Sequence, residues 1–296
     1  MIIDVHRHMW SADQRHPKLF AGDPRWEGSE ASDFDWRRAA GEIVSEMDGA
    51  SVDVSVIIVA DFGLRFGEPE VGIEEENEML VSAQGLYPDR LIAFYGIDPR
   101  RPGSAEKFDA AAKGGKVSGI KLHPTTGYYP GDKSCYDLYE ICAANGLPVL
   151  FHSGPGFHPL LYGKSAHPLE FDRVAADFPK VDMILGHAGG DWWQDCITVA
   201  KAHPNLYLEI SEWQAKFKSH EEETVRAVDQ MMQSVGAGRV MWASDFPGIR
   251  REMSLKAFVD LCRDLPSLGK KYGCEISEEA VELMMGKNAG RVLGVG

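Results

Sequence analysis

The 296-residue chain lacks the marks of several large functional classes, and each absence narrows the reading. No apolar run approaches the roughly 18 residues of a helical membrane span, so no membrane partner is expected. The N-terminus carries Asp4, His6 and His8 where a signal peptide needs a basic start and a long apolar centre, which points to a cytoplasmic protein without a leader. Its five cysteines, Cys135, Cys142, Cys196, Cys262 and Cys274, are odd in number and form no C-x-x-C pair. That argues against a disulfide framework or a thiolate zinc cluster and suits reduced thiols. No Lys/Arg cluster could neutralise a run of phosphates, and 45 acidic against 31 basic residues leave a net charge of −14, so no nucleic acid is expected as partner.

No G-x-G-x-x-G follows the first apolar run and no G-x-x-x-x-G-K-[ST] occurs, which withdraws support from a nucleotide-binding open sheet. With 44% hydrophobic and 26% charged residues, an ordinary globular protein remains. No repeat, linker or low-complexity stretch divides residues 1–296, so one domain is expected.

What is present begins at once. Met1 to His8 reads M-I-I-D-V-H-R-H, and side chains on a strand repeat with period two, so Asp4, His6 and His8 are expected on one face. Two imidazoles on one face can hold a metal. Residues 9–34 then form a long irregular stretch containing Trp10, Phe20 and Trp26, read as an ordered lid over a pocket.

From Asp35 the chain alternates. Helical spacing covers Asp35–Gly49, Glu74–Leu86, Ser104–Lys113, Cys135–Asn145, Pro168–Phe178, Trp192–Ala202 and Glu221–Val235, with a helical tail over Ser254–Leu265 and Ser277–Leu293. Between the helices lie short, nearly continuous apolar runs: Val52–Ala60, Leu91–Ile97, Ser118–Pro124, Pro148–Gly154, Asp182–Gly190, Leu206–Ser211 and Val240–Pro247. Counting the first run, about eight buried strands each followed by a helix predict an α/β fold, a single-domain (β/α)8 TIM barrel.

Position then concentrates the chemistry. His6 and His8, Lys121 and His123, His152, His187 and Asp245 all fall at or near the C-terminal ends of these strands, which meet at one rim of a barrel. Imidazoles and a carboxylate brought together from several strands fit a transition-metal site with an open position for water or substrate. Glu209 and Glu212, near the seventh strand, carry no assignable role and read as solvated rim.

The set D-x-H-x-H, G-I-K-L-H-P, F-H-S-G, G-H-A-G-G and S-D-F-P resembles the amidohydrolase superfamily. It is most similar to the amidohydrolase 2 branch of metal-dependent hydrolases and nonoxidative decarboxylases of the aminocarboxymuconate semialdehyde and resorcylate kind. The resemblance implies metal ligation by His6, His8, His152 and Asp245, with His187 beside the metal as the group that orients or protonates the reacting atom. It also implies one divalent ion, Zn or Mn, with Lys121 as an ammonium for a substrate carboxylate. Two ions are implied if Lys121 is carboxylated and bridges them.

The activity expected first is hydrolysis of an ester, lactone or amide of a small anionic substrate by a metal-activated water, with Asp245 and His187 taking its proton. Lys121, His123, Arg250 and Trp192 are expected to bind substrate. The alternative is a decarboxylase acting on an aromatic or muconate-like acid, and a non-catalytic metal-binding barrel is a third reading. His6 stands where many of the decarboxylases carry Glu, which favours hydrolysis. By analogy with the family, the outer side of the Trp-rich loop offers a contact for a homo-oligomer.

Overall fold

The computed structural model describes residues 1–9 and 35–295; the predicted lid, with Trp10 and Trp26, lies outside them. Strand alternation sorts the apolar side chains into two sets. Val54, Val56, Ile58, Phe94, Leu150, Ile184, Tyr207 and Met241 form one cluster, while their neighbours Ile57, Ala93, Val149, Phe151, Met183, Leu185, Leu206 and Leu208 join a larger one shared with the helices. The first set fills the inside of a ring of strands. The second is the layer between that ring and the helices, the packing expected of a barrel.

The strands are β1 (Ile3–His8), β2 (Val54–Ile58), β3 (Leu91–Ala93), β4 (Tyr95–Gly96), β5 (Ile120–Leu122), β6 (Val149–Phe151), β7 (Met183–Leu185), β8 (Leu206–Glu209) and β9 (Val240–Met241). All pair in parallel with their sequence neighbours, in a run β1 to β3 and a run β4 to β9. β3 and β4 are two halves of the predicted third strand, separated at Phe94, whose N–H still bonds the Ile57 carbonyl (3.1 Å). A parallel bridge between Arg7 and Phe246 joins the last segment back to β1. The ring therefore has eight staves, as predicted.

At that seam the ladder is carried by Asp245 N–H to the His6 carbonyl and His8 N–H to the Phe246 carbonyl, both 2.8 Å. Here the structure corrects one expectation. The β1–β2 register shifts between Asp4 and Arg7, so Ile3 and Val5 point inward below the bulge and His6 and His8 point inward above it. Asp4 therefore does not share the histidines' face. Its carboxylate accepts Ser244 N–H (2.9 Å) and Ser244 Oγ–H (2.5 Å), with a longer contact from His6 N–H (3.2 Å). Burial pushes its pKa up to about 6, opposed by the nearby Arg7 charge.

Several predicted boundaries run long. β7 stops at Leu185, and the rest of the predicted sixth strand is an irregular turn. The predicted Pro168–Phe178 helix is a 3-10 turn, Pro168–Phe171, followed by one short α-helix, Asp172–Asp177. The tail folds as Leu255–Arg263, Leu265–Tyr272 and a continuous helical stretch from Glu278 to Leu293 with a π-turn over Leu283–Lys287. This last stretch closes the bottom: Trp242 N–H bonds the Met284 carbonyl (2.9 Å), and Gly286 lies so close to Met1 that a Cβ would meet its carbonyl at 2.2 Å. No helix among the described residues is long and apolar enough to cross a membrane.

Asp4→Ala strips the buried donors of Ser244 of their acceptor. A loss of about 2–4 kcal/mol in unfolding free energy is expected, read by urea denaturation; a loss under about 0.5 kcal/mol would show that the seam does not depend on this carboxylate.

Candidate active site

Parallel strands bring their C-terminal ends to one rim, and the structure places the predicted polar residues there, inside the ring and buried: His6, His8, Lys121, His123, His152, His187 and Asp245. His6 Nε2 and His8 Nε2 both approach Asp245 Oδ1, at 3.3 and 3.2 Å. Lys121 Nζ lies 3.2 Å from His6 Nε2. His152 Nδ1 is 3.1 Å from His187 Nε2, its ring stacks on that of His123 with centroids 4.1 Å apart, and its Nε2 is buried without a partner. The Phe62 ring meets that of His123 edge-on, with centroids 4.8 Å apart.

Two sequence-predicted residues are not gathered with this group. Arg250 is more than half exposed and pairs with Glu46 (3.6 Å), which also bonds Arg7; of the buried group it shares a cavity lining with His8 alone. Trp192 packs its ring on His167, with centroids 4.7 Å apart. Trp193 packs on Trp213 outside the interior.

One residue that sequence reasoning left on the rim belongs at the centre. Glu209 is fully buried. Its Oε1 accepts from His6 Nδ1 (2.7 Å), His187 N–H (2.9 Å) and Ser211 Oγ (2.9 Å), and its Oε2 accepts Ser211 N–H (2.6 Å). The signal was present: in L-Y-L-E-I-S, Tyr207, Glu209 and Ser211 alternate on one face of a strand, at the same end where the other site residues lie. Glu212 is the one left partly exposed, its Oε2 3.7 Å from His187 Nδ1.

Local backbone explains the glycine-rich motifs. After β7, His187 (φ 57°), Ala188 (φ 44°), Gly189 (φ 77°) and Gly190 (φ 60°) all lie in the left-handed region, as does Asp245 (φ 54°) after β9. Non-glycine residues rarely hold such angles, and they recur at functional sites where surrounding contacts enforce them. Ser153 supplies those contacts, donating to the Gly186 carbonyl (2.6 Å) and accepting Gly189 N–H (3.1 Å). Gly186 has no room for a side chain, since a Cβ would lie 2.5 Å from the Phe151 carbonyl.

Burial dominates the electrostatics. It pushes His6, His8, His123 and His152 well below the usual imidazole range, with the Lys121 charge adding to the effect. Lys121 is itself pushed down to about 8 by burial, against the pull of Asp245, whose carboxyl burial drives well above its usual range. Neutral imidazoles present lone pairs. With the Asp245 carboxylate beside them, His6, His8 and Asp245 place three potential ligand atoms within 4.8 Å of one another, a donor set that fits a divalent ion. The buried, unpartnered Nε2 of His152 is a further nitrogen of the same kind.

A parallel barrel with imidazoles and carboxylates gathered at its strand ends defines the class as metal-binding barrel enzymes. The chain belongs to the amidohydrolase family, here its amidohydrolase-2 branch, whose sequence profile, described as Amidohydrolase, matches residues 3–295. Among solved structures it is similar to the 5-carboxyvanillate decarboxylase LigW from Sphingomonas paucimobilis, 15% identical with a TM-score of 0.70 over 100% of this chain and 99% of that one. The 5-carboxyvanillate decarboxylase from Novosphingobium aromaticivorans, complexed with manganese and 4-hydroxy-3-methoxy-5-nitrobenzoic acid, is 14% identical with a TM-score of 0.66, over 100% and 96%. A probable 2-pyrone-4,6-dicarboxylic acid hydrolase from Acinetobacter baumannii is 13% identical with a TM-score of 0.63, over 99% of each chain. A curated protein, Protein fluG of Emericella nidulans, is 24% identical over 98 residues, 33% of this chain and 11% of that protein.

Gly186→Ala forces the His187 turn away from the Phe151 carbonyl. The expected result is a stability loss of about 1–3 kcal/mol by denaturation; an unchanged midpoint would mean the turn has slack that the close approach denies.

Proposed function

We propose that this chain is a divalent-metal-dependent enzyme that breaks a bond at the carboxyl or carbonyl carbon of a small, flat, anionic substrate. The observation that carries the reading is the convergence of His6 Nε2, His8 Nε2 and Asp245 Oδ1 beside a buried Lys121. His6, His8, His152 and Asp245 would hold the ion, most simply one Mn²⁺ or Zn²⁺; the manganese in a structurally similar decarboxylase supports the former. Such an ion polarises a bound substrate oxygen and acidifies water. Lys121 and His123 hold the substrate's carboxylate and flat ring, and Asp245 and His187 carry the proton.

Nonoxidative decarboxylation comes first. The likeness to two 5-carboxyvanillate decarboxylases and the paired rings of His123 and Phe62 support it. In that reaction the C–C bond to the carboxylate breaks, CO₂ leaves, and the electron pair left on carbon takes a proton from Asp245 or His187. Hydrolysis of an ester, lactone or amide is the second reading. It is supported by His6 at the first ligand position and by the likeness to a probable 2-pyrone-4,6-dicarboxylic acid hydrolase.

Metal analysis of the purified chain is expected to give about one equivalent of Mn or Zn, lost in the His6→Ala, His8→Ala variant. Two equivalents would make Lys121 a carboxylated bridge, and none in a chelator-free preparation would overturn the reading. Against carboxyl-labelled aromatic acids and lactones in H₂¹⁸O, release of labelled CO₂ supports decarboxylation and ¹⁸O in the product supports hydrolysis. Asp245→Asn is expected to lower kcat by about 10²–10⁴-fold under either.

A further inference from the structure

We propose that Glu209 and Ser211 form a relay that dictates which ring nitrogen of His6, His187 and His152 carries the proton, leaving a lone pair on Nε2 of both His6 and His152. It rests on the reading of those two nitrogens as metal ligands only for its consequence, not for its geometry.

The order follows from donors and acceptors. Both Glu209 oxygens already receive a backbone N–H, Oε1 from His187 and Oε2 from Ser211, the pattern of an ionised carboxylate that can only accept. His6 Nδ1, 2.7 Å from Oε1, must therefore donate, and His6 Nε2 is left with its lone pair. The single Ser211 hydroxyl proton goes to Oε1 at 2.9 Å, so its oxygen accepts from His187 Nδ1–H at 2.8 Å. His187 Nε2 then accepts from His152 Nδ1–H at 3.1 Å.

The relay ends on His152 Nε2, which is buried and has no partner. Reversing the order would put a proton there, a buried N–H with no acceptor, which is the costlier way to leave that atom. Glu209 and Ser211 are thus positioning residues. They touch no substrate in this scheme, and they make β8 set the chemistry of side chains borne by β1 and by the segments after β6 and β7. A carboxylate behind a ligating histidine is worth about 10–100-fold in metal affinity where it has been measured.

The test uses the full-length chain labelled with ¹⁵N-histidine, with tautomers read from long-range ¹H–¹⁵N correlations before and after addition of Zn²⁺. The wild type is expected to show the Nδ1–H form at His6, His187 and His152. Ser211→Ala should release His187 and His152 from that form while leaving His6 unchanged, and Ser211→Thr should restore it; Glu209→Gln should disturb all three. Mn²⁺ binding to the same variants is expected to weaken about 10-fold in Ser211→Ala. Nε2–H forms at His187 and His152 in the wild type, or unchanged tautomers in folded Ser211→Ala, would overturn the relay. Changed tautomers with unchanged Mn²⁺ affinity would confirm the relay and refute the ligand assignment instead.

Discussion

Everything at the rim depends on two backbone hydrogen bonds between the first and last staves of the barrel, Asp245 N–H to the His6 carbonyl and His8 N–H to the Phe246 carbonyl. They set residues nearly 240 positions apart side by side with their side chains facing inward. Without that closure His6 and His8 would line the edge of an open sheet, and Asp245 would be a loop carboxylate. The bulge in β1 is the complementary constraint: it brings His6 to the inner face directly after Val5, and Asp4 fills the gap by bonding Ser244.

A dry interior then changes what these groups are. Imidazoles that would be half-charged in water near neutral pH are held neutral, and a lysine and an aspartate are both driven towards their uncharged forms. A neutral ring keeps one nitrogen lone pair, the form in which imidazole can bind a metal. Glu209, buried as deeply as the others, is surrounded by donors, four within 2.9 Å.

The amidohydrolase family supplies the barrel, and the strand ends gather the imidazoles and carboxylates at one rim. On the sequence Arg250 follows the eighth strand and invites a role with an anionic substrate; in the structure it pairs with Glu46 on the first helix and lines a cavity together with His8 and Pro247.

By itself the sequence determined the eight-fold alternation and the strand-end positions of His6, His8, Lys121, His123, His152, His187 and Asp245, because hydrophobic periodicity and residue order are local properties of the chain. It carried the position of Glu209 as well, in the alternation of L-Y-L-E-I-S, but not its burial. Only the tertiary structure decided that Asp4 leaves the histidines' face, that the sixth strand ends early in a left-handed turn, and that Glu209 is buried among donors. Those outcomes turn on register at the β1 bulge, on Cβ clearance at Gly186 and on which donors surround a buried carboxylate. Each is a relation between segments far apart in the chain, and no local pattern encodes it.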